Sequence, residues 1–453
     1  MRLVSWTHTR LPDQIWTALL VTRLDRDFAL EILRTVAKAC QGFFEKGSDL
    51  DITLTGLARM KADVAETILD IVFSAPGARD VLEPLLLFSD LPGRERWVPH
   101  LSQGVGLDAW NDLARTVGLV LHHQSQEATD CRWARVLFRV ASGQMHLPSR
   151  EQFMWLANYP KEGDQRQVRP MIRATEIAEN PLHDYSDRDR WAESFWQQCL
   201  KRTPCGNFLR PSLRLPGAET NRTHVLGVLA QVARSARDAT RTTAADARHA
   251  SAFGLTAYTL NILIELLGMG IAQSVLGRLG LRAVLEAYIT LRYLATIDKP
   301  SSWEAYRAYG QGQAKLAMLK ADEFEEAPGF VTPDLLEQFA SEDKGPEFLS
   351  INVGHWANAD LRKLSNLAGA KDAYDRIYPW TSAFVHANWA GVRAATMVTC
   401  GNPLHRLHSV TQPTGNVLDD VIADVCDLVD DMLLILGKLY EVDFPSVVLP
   451  GGT

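Results

Sequence analysis

Apolar residues recur at three- and four-residue steps along most of the chain. FALEILRTVAKACQGFF (28–44), GLARMKADVAETILDIVF (56–73) and WARVLFRVA (133–141) each place one apolar stripe on a helix. Start signals agree with this spacing. Ser149 with Gln152, and Ser301 with Glu304, have capping-box separation, and Pro333 after Thr332 suits a first helical position. Strand-like alternation is rare. LDITLT (50–55) alternates but runs into a helical pattern, and FPSVVLP (444–450) is short and bounded by prolines. An all-α fold is expected.

Between residue 28 and about residue 200 the predicted helices are short. Pro76-Gly77, Pro92-Gly93, Pro148 and Pro160 separate many of them, as in a stack of helical hairpins, although no fixed repeat period is present. The segment 203–220 carries three prolines and two glycines. The expected organisation is a solenoid-like N-terminal array over 1–205, a linker over 206–221 and a C-terminal helical bundle over 222–453. The second part opens on a long helical pattern, 222–252, and continues to residue 293. An acidic, proline-bearing loop follows at 322–348. The last helix, 417–440, carries Asp420, Asp424, Asp427 and Asp431 on one face. Such a stripe could hold a cation, but an amphipathic helix more simply turns it to solvent.

The most apolar stretch, AYTLNILIELLGMGI (257–271), contains Asn261 and Glu265 and falls short of the ~20 apolar residues a membrane span needs. It is expected to be a core helix, with no membrane association. The first residues lack the apolar run of a secretory signal. The chain has 453 residues, 46% hydrophobic and 22% charged, which favours two or three globular domains over disorder. Its six cysteines form no CxxC pair. His122-His123 and Cys199 with Cys205 lack partners at ligand spacing, so neither a metal site nor disulfides are expected, and a reducing, cytoplasmic setting is. With no P-loop, GxGxxG or HExxH motif, no cofactor is expected.

Charge is uneven. The net charge is −7, yet residues 100–250 hold 20 Lys and Arg against 16 Asp and Glu, and 18 of those 20 are arginine. Arginine suits phosphate and carboxylate recognition because its guanidinium is a planar fork of donors. Arg132, Arg135 and Arg139 share a helical face, as do Arg234, Arg237 and Arg241. Both stripes are candidate nucleic-acid contacts or, alternatively, salt-bridged protein surfaces.

Two constellations could carry chemistry. Arg282 and Glu286 lie four apart within the apolar helix GRLGLRAVLEAYITLRYL, where charge must be paired or face a cavity. In YDRIYPWTSAFVH (374–386), Pro379 can open a helix, and Tyr378, Ser382 and His386 then follow at single-turn steps. The block HWANADLRKLSNLAGAKDAYDRIYPWTSAFVHANW, taken with the Arg-x3-Glu helix, resembles the bacterial domain-of-unknown-function family 5677 over about residues 225–440. The resemblance implies an all-helical domain whose polar signature is Arg282, Glu286, Tyr374, Ser382 and His386. It brings no established activity and does not cover residues 1–210.

Ser382 and His386 have the spacing of a nucleophile and its base, but no orienting acid or oxyanion hole is visible. Helical HEPN-type ribonucleases use an Arg and a His a few residues apart, usually paired across a dimer. Arg115 with His122 and Arg139 with His146 match that spacing, which also arises by chance. A composite of Arg282, Glu286 and His386 could act similarly, Arg holding a phosphate and His moving a proton. The expected function is a bacterial defence or stress-response component, homo-oligomeric, that binds or cleaves RNA or single-stranded nucleic acid through a C-terminal polar pocket. Whether it is an enzyme stays open. The alternative is a non-catalytic helical scaffold whose Arg-rich middle engages an acidic protein or the chain's own acidic face.

Overall fold

The computed structural model describes residues 2–42, 50–101, 106, 108–179, 186–206, 208–209, 220–321, 323, 328–342, 345, 348–351, 354–406 and 408–449. The fold is all-α, with two small sheets among the described residues. The chain forms two compact units. Unit 1 is Met1–Arg210 with Thr399–Val410, and unit 2 is Pro211–Val398 with Thr411–Thr453. The segment 399–410, expected in the C-terminal part, therefore belongs to the first unit. The expected linker, 206–221, lies largely outside the described residues.

The principal helices of unit 1 are α1 (Ile15–Arg23), α2 (Arg26–Ala39), α3 (Ala62–Ser74), α4 (Ala109–Val120), α5 (Gln126–Ala141), α6 (Gln165–Ile177) and α7 (Ser186–Arg202). Side-chain caps start several of them. Asp25 accepts from the Phe28 N–H and Ser125 from the Ala128 N–H, and Ser149 accepts from the Gln152 N–H as its spacing predicts. The alternating segment 50–55 is no strand: Thr53 accepts from the Gly56 N–H and caps a short helix, Leu54–Arg59.

Helix α5 is the centre of unit 1. It packs against α1, α2, α4 and α6, and its residues from Ala128 to Phe138 are buried all round. One hydrophobic core runs from Trp6 to Leu404. The indole N–H groups of Trp16, Trp133 and Trp191 donate to the carbonyls of Ile52, Leu156 and Pro12, so these large rings enter the core without an unpaired donor. α7 returns to the N-terminal residues 6–13, so the array closes on itself instead of running on as an open stack.

Unit 2 contains α8 (Arg222–Ala239), α9 (Ala247–Met269), α10 (Val275–Ile297), α11 (Pro300–Ala321), α12 (Leu361–Leu367), α13 (Lys371–Val385), α14 (Trp389–Thr396) and α15 (Ile422–Tyr440). The pattern 222–252, expected as one helix, is two. It breaks at Thr240, and Asp246 starts α9 by accepting from the His249 N–H. Ser301 lies inside α11, which Pro300 opens, whereas Pro333 begins its helix as expected. α9 packs against α8, α10 and α15, and α10 also packs against α12 and α13. Helix α9 is long and apolar enough to cross a membrane, the single such helix among the described residues, with mean hydropathy 1.4. Here its Phe253, Leu260, Leu263 and Leu266 are buried in the core, while Asn261 and Glu265 face outward.

Candidate functional site

The family-like polar residues lie where α10 meets α13. Ser274 caps α10 by accepting from the Leu276 and Gly277 N–H groups. Two turns on, Arg282 is only 8% exposed. Its Nε is 2.5 Å from Glu286 Oε1. Its guanidinium lies 3.5 Å from the centroid of the Tyr378 ring. Tyr378 in turn stacks on Tyr374 at 4.4 Å. Arg282, Glu286, Tyr374 and Tyr378 thus form one ladder. Glu286 keeps its other face in water, which removes most of the penalty of burying an ion pair.

His355 joins this group, although the sequence pattern did not single it out. Burial lowers its pKa, while the nearby carboxylates of Glu286 and Asp360 pull the other way. Its position at the head of the family-like block was the available signal.

Ser382 follows Tyr378 by one turn of α13, and His386 caps that helix. α13 ends at Val385, and the His386 N–H donates to the Ser382 carbonyl, so the two residues are joined by backbone alone. The Ser382 hydroxyl and the His386 ring make no hydrogen bond among the described residues, and His386 is exposed. Among the described residues no hydrogen bond joins the Ser382 and His386 side chains, and no hydrogen bond or ion pair joins His386 to Arg282 or Glu286. The chain turns directly after His386, which is still in helical register with Ser382. Ala387 adopts φ 47, a left-handed conformation unusual for a residue with a Cβ, and Asn388 starts α14 by accepting from the Ala390 and Gly391 N–H groups. Because His386 is exposed and its ring makes no hydrogen bond or ion pair among the described residues, His386→Ala should leave the unfolding free energy within about 0.5 kcal/mol of wild type. A larger loss in a thermal melt would show a structural role.

The tight corner after α13 presents large apolar surface. The α14 backbone sits so close to the end of α13 that a Cβ at Gly391 would lie 2.4 Å from the Ala383 carbonyl oxygen. Trp380 is 74% exposed and Trp389 64% exposed. Arg376, one turn before Trp380 on the same face, is exposed and has no carboxylate partner among the described residues. A groove elsewhere in unit 2, about 330 Å³, is lined by Arg292, Thr296, Asp431, Leu434 and Lys438, not by the ladder or the corner. Of the aspartate stripe, Asp427 and Asp431 are exposed, and Asp431 accepts from the Tyr288 hydroxyl at 3.1 Å.

The first arginine stripe is not a binding surface. Arg132 and Arg135 are buried on α5. Glu176, 2% exposed, takes Arg10 at 2.7 Å, Arg135 at 3.2 Å and Arg132 at 3.7 Å. The Arg135 fork also grips Asp51 through Nε and Nη2. Burial alone would raise the Asp51 carboxyl, but Arg135, with Arg10 and Arg139 behind it, outweighs this and holds it at about 2. Arg139 is half-buried at the end of the same network. The arginines are there to neutralise carboxylates inside unit 1. Of the HEPN-like spacings, Arg115 lies 3.8 Å from Asp112, and His122 lies past the end of α4 against His123. Arg234 and Arg237 on α8, and Arg241 just beyond it, are exposed with no ion pair among the described residues.

A constellation missed by sequence spacing lies in unit 1. Cys205, Cys400, His405 and His408 converge so that one ligand atom from each lies within 4.8 Å of all the others. Cys205 thus has partners after all, supplied by the returning segment and not by its own neighbourhood. The visible signal was Cys400-x4-His405-x2-His408, but its fourth member is almost two hundred residues away.

Residues 258–399 match the model of a family of unknown function, DUF5677. That span contains the Arg282–Tyr378 ladder and the Trp380–Trp389 corner. No curated protein and no solved structure matches the chain significantly.

Proposed function

From a family match that brings no activity with it, we propose that unit 2 binds single-stranded RNA at the corner between α13 and α14. The observation that carries this is the exposure of Trp380 and Trp389, at 74% and 64%. Tryptophan contributes most when buried, and two exposed indoles within ten residues mark a surface meant to be covered. Every base offers a π-face, so indoles make a sequence-tolerant stacking platform. Arg376 lies one turn from Trp380 and is free to take a phosphate, and Arg234, Arg237 and Arg241 offer further exposed cationic groups on the same unit. The left-handed Ala387 fits this use, since backbone strain tends to collect at functional corners.

The proposal is binding, not cleavage. His386 stands beside this surface, but Arg282 is engaged by Tyr378 and Glu286 and makes no hydrogen bond to His386 among the described residues. Arg282 is a positioning residue that fixes α10 against α13. The rival scaffold reading relied on the Arg-rich middle, whose Arg132 and Arg135 are committed to Glu176 and Asp51. We place the activity in the cytoplasm, where free cysteines persist.

The test is fluorescence anisotropy of the full chain with a labelled mixed-sequence 20-nucleotide RNA. Saturable binding at low salt is expected. If about three phosphates are contacted, a threefold rise in salt should weaken it about tenfold. An absence of binding at low salt would overturn the proposal, as would tighter binding to duplex than to single strands.

A further inference from the structure

We propose that unit 1 carries a structural zinc ion held by Cys205, Cys400, His405 and His408. This site is independent of the RNA surface, and all four residues belong to unit 1.

The fold brings the four together in steps. Strand β1 (Phe208–Leu209) pairs antiparallel with β2 (Met397–Cys400), with Phe208 opposite Cys400, so the chain just before β1 passes the residues just after β2. Gly206 permits the close approach, since a Cβ there would lie 2.9 Å from the Asn402 nitrogen. A single turn, Pro403–His405, points His405 back. Arg406 then reverses the chain at φ 51, and the Cys400 N–H donates to the His408 carbonyl at 2.9 Å. Arg406 is itself anchored, its guanidinium 5.0 Å from the Trp196 ring.

Three of the six ligand-to-ligand distances have the size of tetrahedral edges, and all six are within 4.8 Å. Cys400 Sγ to His405 Nδ1 is 3.5 Å, Cys205 Sγ to His405 Nδ1 is 3.7 Å and Cys205 Sγ to His408 Nε2 is 3.5 Å. Zinc at about 2.3 Å from sulfur and about 2.0 Å from nitrogen separates tetrahedral S and N ligands by about 3.5 Å.

The hydrogen bonds around His405 fix which nitrogen faces the sulfurs as a base. The Thr203 hydroxyl donates to the Cys199 carbonyl at 2.7 Å, so toward His405 it must accept. His405 Nε2, 3.0 Å away, therefore carries the proton and donates it to Thr203. Nδ1 is left with its lone pair aimed at both sulfurs, the tautomer a metal ligand needs, held by an outer partner. Asn402 Nδ2 donates to the same Thr203 oxygen at 3.1 Å. The Asn402 backbone N–H donates to Cys400 Sγ at 3.4 Å, a contact that favours a thiolate.

Two thiolates and two imidazoles with no position left for water make the set of a closed structural zinc site. On binding, each thiol gives its proton to solvent, and neither histidine changes charge. The ion would tie the returning segment 400–408 to the chain leaving α7, and it would give the exposed thiol of Cys205 a partner.

The experiment is metal analysis of the purified full chain, followed by zinc titration in competition with a chromophoric chelator. About one zinc per chain is expected for this ligand set. Cys205→Ser, at an exposed position that the fold tolerates, should weaken zinc binding at least about 100-fold, and Thr203→Val about 10–100-fold with all four ligands intact. Cobalt(II) in place of zinc should show thiolate charge-transfer absorption that Cys205→Ser diminishes. The proposal is overturned if the titrated chain takes up no zinc, or if Cys205→Ser binds zinc as the wild type does. A Cys205–Cys400 disulfide in the mass of the non-reduced chain, taken under argon, would equally overturn it.

Discussion

Glu176→Ala should be among the most damaging single substitutions in unit 1, costing about 3–5 kcal/mol, because it strands several cations in a core. Glu176 is the shared counter-ion of Arg10, Arg132 and Arg135, and its side chain is 2% exposed. Arg135 keeps Asp51, but among the described residues Arg132 has no second carboxylate within ion-pair distance, only the His123 carbonyl and the face of Trp6 at 4.3 Å. The Gln14 amide, which donates to Glu176 at 3.1 Å, would also lose its acceptor. Against a typical total stability of about 5–15 kcal/mol, that loss should lower the denaturant midpoint drastically. Glu176→Gln keeps the shape and some acceptor capacity, so it should cost less. Arg115→Ala, which removes an exposed pair with Asp112, should change little. A chemical denaturation series over these three variants checks the order. Equal midpoints for Glu176→Ala and Arg115→Ala would mean that the buried network contributes nothing.

The same network shows where sequence pattern stops being informative. Helix α5 was legible from its periodicity, and so was the shared face of Arg132, Arg135 and Arg139. Whether that face meets water depends on Asp51 and Glu176, 84 residues before and 41 residues after Arg135, and helical spacing carries no information about either. Local chemistry was more transparent. Ser149 caps as its spacing predicts, and Pro333 opens its helix, since both effects act within one turn. The break at Thr240–Asp246 was less visible because the apolar periodicity on its two sides stays almost in phase.

Of the candidate site, the within-helix pair Arg282–Glu286 was legible, and its link to Tyr378 follows once α10 and α13 pack. The side-chain contacts of His386 were not. Treating 374–386 as continuous helix kept Ser382 and His386 one turn apart, which the backbone bond between them bears out. Spacing carries no information on whether their side chains meet, and the chain turns away at Ala387 before Asn388 begins the next helix. The cue was Asn388 directly before an apolar run, an ordinary N-cap signal. The four-residue metal constellation needed a contact between positions 205 and 400, which no local pattern encodes.

The RNA proposal stands on Trp380 and Trp389, and replacing both should nearly abolish binding. Base stacking on an aromatic residue contributes about 1–3 kcal/mol, so each single change to alanine should weaken binding by roughly tenfold, and the pair by about a hundredfold if they act independently. Neither residue belongs to the buried core, so stability should hold or rise slightly. Arg376→Ala should instead give a smaller loss that fades as salt rises. The decisive measurement is RNA anisotropy with the Trp380→Ala/Trp389→Ala chain beside the wild type, with thermal melts on the same preparations. Binding lost by about two orders of magnitude at an unchanged melting temperature is the expected result. Undiminished affinity in the folded double variant would contradict the assignment of the α13–α14 corner as the RNA surface.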